Sequence, residues 1–179
     1  MKPENSKRLV IDASIARAAG RTDHPISKAC RVFLEGVLNI CHHVVLTKGI
    51  QEEWNRNQSK FTLFWRSSMF ARKKVARSQV VENEAIRTSI HTFDLSDKEC
   101  AAVLKDAHLI EAALETDLRV VSLDEEARGL LRKMAQSVNP LKQILWVNPT
   151  RDEEHTIEWL EGGAEDEEAR QLGYDDTAQ

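Results

Sequence analysis

Four acidic residues, Asp12, Glu53, Asp106 and Asp124, stand where a carboxylate serves chemistry better than it serves solubility. Asp12 ends the apolar run Leu9, Val10, Ile11 in "RLVIDAS", and Asp124 ends a second run in "VVSLDEE". On a helix opened by Thr47, Glu53 lies about 60° from the inward-facing Ile50, whereas Glu52 points about 160° away from both Ile50 and Trp54. On the long helix opened by "SDKE", Ala102, Val103, Leu109, Ile110 and Ala113 fall within about 60° of Asp106, which puts a carboxylate on an apolar face. Such an acid needs a cation or strong hydrogen bonds. Four carboxylates gathered without counter-charge raise one another's pKa. A hard divalent cation, Mg²⁺ or Mn²⁺, resolves the repulsion through oxygen ligands and can polarise a phosphoryl group and activate water.

The elements that must position these acids alternate. Short apolar runs at 9–11, 44–46, 120–123 and in "QILWV" read as strands, and helical patterns lie between them. Pro25 suits a first helical position for a helix to about His42, Thr47 suits an N-cap, and Ser96 with Glu99 forms a capping box for a helix to about Glu115. "EEARGLLRKMA" reads as another helix. Strands that are continuous apolar runs separated by helices argue a three-layer α/β/α fold around a central, mostly parallel sheet. In such sheets ligands bind beyond the carboxyl ends of the strands, where Asp12 and Asp124 would sit.

Composition bounds the partners. The 179 residues suffice for one sizeable core, with no run long enough to span a membrane and no signal-peptide pattern in the polar start "MKPENSKR". Three cysteines, Cys30, Cys41 and Cys100, odd in number and not in paired spacing, suit the reducing cytoplasm. "CHH" at 41–43 lacks a partner pair at zinc-finger spacing. The net charge of −4 is segregated: residues 151–179 hold eleven acids and two bases. This acidic extension, 150–179, reads as solvated apart from a short helix around "TIEWLEGG", with 1–149 as the body. From Asn55 to Val81 there are seven bases and no acid: Arg56, Lys60, Arg66, Arg72, Lys73, Lys74 and Arg77. Interleaved with Phe61, Phe64, Trp65 and Phe70, and expected to be one or two helices, this stretch suits a nucleic acid, its bases taking phosphates. It also suits a solvated helical face over the core. Exposed Trp65, Phe64 or Trp159 would serve a partner surface.

The segments "LVIDAS", "TKGIQEEW", "KDAHLIEAAL" and "VVSLD" resemble, in order and spacing, the four motifs of PIN-domain ribonucleases, over roughly residues 8–148. The resemblance implies a metal-dependent endoribonuclease using Mg²⁺ or Mn²⁺, with Asp12, Glu53, Asp106 and Asp124 as catalytic residues and metal ligands. Ser14 and Ser122 would support them by hydrogen bonds to the carboxylates or to a metal-bound water. RNA is then the substrate and an antitoxin protein a further partner, as in toxin-antitoxin pairs; a homodimer would form instead through the exposed aromatics. The basic insertion and the acidic extension are longer than a minimal toxin of that family carries. A non-catalytic PIN-fold module that binds RNA or protein is the alternative. A haloacid-dehalogenase-type phosphatase would need a second Asp where Ser14 stands, and a response-regulator receiver an acidic pair near the first strand.

Overall fold

The computed structural model describes residues 6–80 and 82–174. The first five residues of the polar start, Val81, and the tail acids Asp175 and Asp176 lie outside the described residues. Five strands, β1 (Arg8–Ile11), β2 (His43–Leu46), β3 (Val75–Arg77), β4 (Arg119–Val121) and β5 (Leu145–Val147), form one sheet in the order β3-β2-β1-β4-β5. Every pair of neighbouring strands is parallel. The fold is the expected three-layer α/β/α architecture, and its central strands are buried as their unbroken apolar runs require: Leu9, Val10, Ile11, Val44, Val45, Val120 and Val121 are fully buried.

Right-handed crossovers assign the helices to faces. From β1 the chain moves outward to β2 and β3 through α1 (Ala13–Ala18), α2 (Pro25–Asn39), α3 (Lys48–Asn57) and α4 (Lys60–Ala71). It then returns past β1 to β4 and β5 through α5 (Glu84–Thr92), α6 (Asp97–Leu114) and α7 (Glu125–Ala135), which therefore cover the opposite face. The packing agrees: α2 touches α1 and α4, and α6 touches α5, α7, β1 and β4. The direction of winding reverses between β1 and β4, so their carboxyl ends border the crevice where such sheets bind ligands.

The helices start where their local signals require. Thr47 accepts the Ile50 amide, Pro25 is the first residue of α2, and the Ser96–Glu99 capping box is complete. β3 departs from expectation, since the basic segment was read as helix throughout. Val75–Arg77 is a three-residue, half-exposed edge strand, too short and too charged to show an apolar run. Lys73, at φ 57°, turns the chain from α4 into it.

The acidic extension is also more than a solvated tail. After a left-handed residue, His155 at φ 40°, the short helix α8 (Thr156–Glu161) packs on α2, and Trp159, Leu160, Ala164 and Leu172 join the main core. The Lys7 amide donates to His42 Nδ1 (3.1 Å), so Nε2 carries the hydrogen and donates to Leu160 O (2.8 Å). Burial lowers the His42 pKa, in keeping with a neutral ring that ties the tail to β2 rather than to a metal. Trp65 and Trp159, expected on the surface, are buried because their indole N–H groups find carbonyls at Leu34 and Glu165. Phe64 does stand in solvent, 66% exposed. No helix among the described residues is long and apolar enough to cross a membrane.

Candidate carboxylate site

Asp12 follows β1 directly, its amide bonded to Val121 O of β4 (2.9 Å). It occupies the N-cap of α1 but makes no capping bond; its Oδ2 instead accepts from Ser14 Oγ (2.5 Å) and Ser122 Oγ (2.7 Å). Each serine also accepts a backbone amide, Ser14 Oγ from Leu123 (3.2 Å) and Ser122 Oγ from Asp124 (3.1 Å). Two hydroxyls thus stitch the ends of β1 and β4 together and fix the carboxylate between them. Asp124 caps α7, its Oδ1 taking the Ala127 amide (2.9 Å).

α3 delivers Glu53. Trp54 beside it donates its indole N–H to Ile11 O (3.0 Å), which locks the helix onto the last residue of β1. Glu53 lines the crevice, and His108 Nε2 lies 3.2 Å from its Oε2 without forming a hydrogen bond. The ring is held by His108 Nδ1, which donates to Lys105 O (3.0 Å).

α6 delivers Asp106. The helix is continuous, so the apolar-face placement holds: Asp106 is 3% exposed, among buried Val103, Ala107, Leu109 and Ile110. Its Oδ2 is buried with no hydrogen-bond partner. The nearest cation is the solvent-exposed Lys105 ammonium, 3.8 Å from Oδ1. Burial first, then the field of Asp12, pushes the carboxyl up to about 7; Lys105 opposes the shift, and Asp124 and Glu53 add to it.

These side chains border one cleft of about 550 Å³, lined by Asp12, Ser14, Glu53 and Asp124. Asp106 is not among the lining residues, but Asp12, Asp124 and Glu53 lie close enough for their charges to act on it. Spacing could have found two further lining residues: Arg17 is three places after Ser14 on α1, and Asn57 four after Glu53 on α3. Lys105 and Glu125 also line the cleft, each adjacent in sequence to a named acid. Glu125 is not free to join the others. Burial pushes its carboxyl up, but Asn148 (2.8 Å), Arg128 (3.4 Å) and Arg151 (3.0 Å) outweigh burial and hold it low.

The site fits a hard cation in donor type and charge. Its oxygen donors are carboxylates on four separate elements, and one is an orphaned buried oxygen that water does not reach. Among the described residues, no group of three or more His, Cys, Asp or Glu is gathered closely enough to hold a metal ion. The carboxylates converge through their fields rather than through shared contact distances.

The expected nucleic-acid contacts divide. Lys74 Nζ donates to Val37 O (2.6 Å), Leu38 O (2.8 Å) and Ile40 O, capping the carboxyl end of α2, and Arg72 also reaches Leu38 O (3.3 Å). Arg66 donates to Asn55 Oδ1 (2.9 Å), and the Arg77 guanidinium lies 5.5 Å from the centre of the Phe70 ring. Arg56, Lys60 and Lys73 are exposed. Compared with protein-family models and with curated proteins, the chain matches none.

Proposed function

We propose that this chain is a metal-dependent endoribonuclease that hydrolyses phosphodiester bonds at the carboxylate cleft. The observation that carries the reading is Asp106, a buried carboxylate with an unpartnered oxygen, pushed up to about 7 by burial and by three other acids. A fold does not keep so unfavourable an arrangement for stability; a divalent cation in the cleft relieves it. RNA as the substrate, and an antitoxin as partner, rest on the PIN-domain resemblance. Three cysteines that form no disulfide suit a cytoplasmic setting.

Asp12, Asp106, Asp124 and Glu53 would hold Mg²⁺ or Mn²⁺, which supplies Lewis-acid polarisation of the phosphoryl oxygens and a lowered pKa for attacking water. The protein's own parts follow from their contacts. Ser14 and Ser122 keep Asp12 in one rotamer. Glu53 would orient or deprotonate water. Arg17 and Lys105 line the rim, where they would take phosphate oxygens. Without a cation, Asp106 exchanges its proton near neutral pH.

The test is cleavage of a labelled single-stranded RNA by the purified chain with Mn²⁺ or Mg²⁺, with chelator, and by Asp124→Asn. The amide oxygen can still cap α7, so the variant should fold. Cleavage lost in chelator and in the variant is expected. Cleavage that survives both would remove the carboxylate mechanism. RNA binding without cleavage, indifferent to chelator, would make the chain a binding module instead.

A further inference from the structure

A second cleft, of about 650 Å³, opens on the far side of α3 at the carboxyl ends of β2 and β3. Lys48, Gln51, Glu52 and Asn55 line it from α3, and Arg77 and Gln79 from the end of β3. Its size is that of a small-ligand site, and beside Leu46, Ser78 and Val80 its lining is two cations, three amides and a carboxylate. Two residues of the basic α4 buttress it. Arg66 occupies the Asn55 amide oxygen, which leaves the donor end of that amide for a ligand, and the Phe70 ring supports the Arg77 guanidinium. α3 itself is the wall shared with the carboxylate cleft, since Glu53 and Asn57 line one side and Glu52 and Asn55 the other. A helix is about 10 Å thick, so a single strand crossing α3 would reach both clefts within a few nucleotides.

We infer that this second cleft holds one nucleotide of a single-stranded RNA, its phosphate on Arg77 and Lys48 and its base edge on Gln51, Glu52 and Asn55. The inference rests on the nuclease reading for its substrate class. Single-stranded RNA is recognised by hydrogen bonds to unstacked base edges, and a carboxylate can only accept them. Glu52 therefore favours bases that carry an amino group and disfavours uracil, whose one ring donor is flanked by carbonyls.

The experiment is fluorescence anisotropy of labelled hexa-adenylate and hexa-uridylate RNA with the full chain in chelator, where no metal-dependent cleavage intervenes. Wild type should bind hexa-adenylate more tightly. Arg77→Ala should weaken both by at least about fivefold and reduce the slope of log affinity against log salt by about 0.7, the loss of one phosphate contact on a single strand. Glu52→Gln should narrow the difference between the two oligomers. Both side chains are exposed, and unchanged thermal melts would confirm that each variant is folded. Affinities within about twofold of wild type with an unchanged slope, or no binding by wild type, would overturn the inference. Cleavage in Mn²⁺ alongside such a result would leave the nuclease reading standing. Variant-sensitive binding without any cleavage would sink that reading and keep the cleft.

Discussion

Asp106 and Glu111 lie on the same helix, α6, five residues apart, and both are 3% exposed. Their surroundings are opposite. Glu111 receives Arg87 Nε (2.8 Å) and Nη2 (3.1 Å) on its two oxygens, and the Asn83 amide (2.9 Å) as well. It ties α5 to α6 and leaves no charge unanswered. Asp106 faces three acids, has one solvent-exposed lysine at 3.8 Å, and keeps an oxygen with no partner. Equal burial therefore distinguishes nothing. The partners separate an acid that holds the fold together from one that weakens it.

Exchanging the two acids tests that contrast most strongly through activity. Asp106→Asn should lower RNA cleavage by about 10³-fold or more, some 4 kcal/mol of transition-state stabilisation. Glu111→Gln, if folded at the assay temperature, should cleave within a few-fold of wild type. Equal losses in initial-rate measurements would mean that the two acids do not differ in role.

Stability should move in opposite directions. Glu111→Ala strips a buried ion pair from one side and orphans the Asn83 amide, so unfolding should become easier by about 3 kcal/mol, read from denaturant titration. Mn²⁺ at about a hundred times its Kd should stabilise wild type by about 2.7 kcal/mol, and stabilise Asp106→Asn far less. Equal shifts in the two proteins would place the ion elsewhere.

A further effect is set by pH. In the folded chain the Asp106 carboxyl titrates near 7, against an ordinary value of 3.8. Between those values the folded state holds a proton that the unfolded state has released. Stability should therefore fall as pH rises from about 4 to about 7 and level off above. An amide cannot ionise, so the melting temperature of Asp106→Asn in chelator should gain on that of wild type by about 10 °C between pH 4 and pH 8. A constant gap across that range would remove the titration of Asp106 as its cause.

Much of this was legible in the sequence because local chemistry wrote it there. The apolar runs before Asp12 and Asp124, the Thr47 cap and the Ser96–Glu99 box are all short-range patterns, and each formed where its residues required. The angular position of Asp106 follows from helix geometry alone and held once α6 proved continuous. β3 was not legible, since a three-residue edge strand carries too few side chains to show a period. The same limit applied to Trp65 and Trp159, whose spacing gives no sign that Leu34 and Glu165 offer carbonyls to their indoles.

What the sequence by itself determined was the four apolar strands, the starts of the capped helices and the placing of two carboxylates at strand ends, through patterns that repeat every two to four residues. Only the tertiary structure decided that Ser14 and Ser122 bind the same oxygen of Asp12, and that Glu125 is occupied by Arg128, Asn148 and Arg151 while Asp106 is not. It also decided that Lys74 is spent on the end of α2. The physical reason is the same in each case. A charge's role depends on which groups lie within a few ångströms of it, and parallel strands joined by long crossovers draw those groups from segments as far apart as 110 residues.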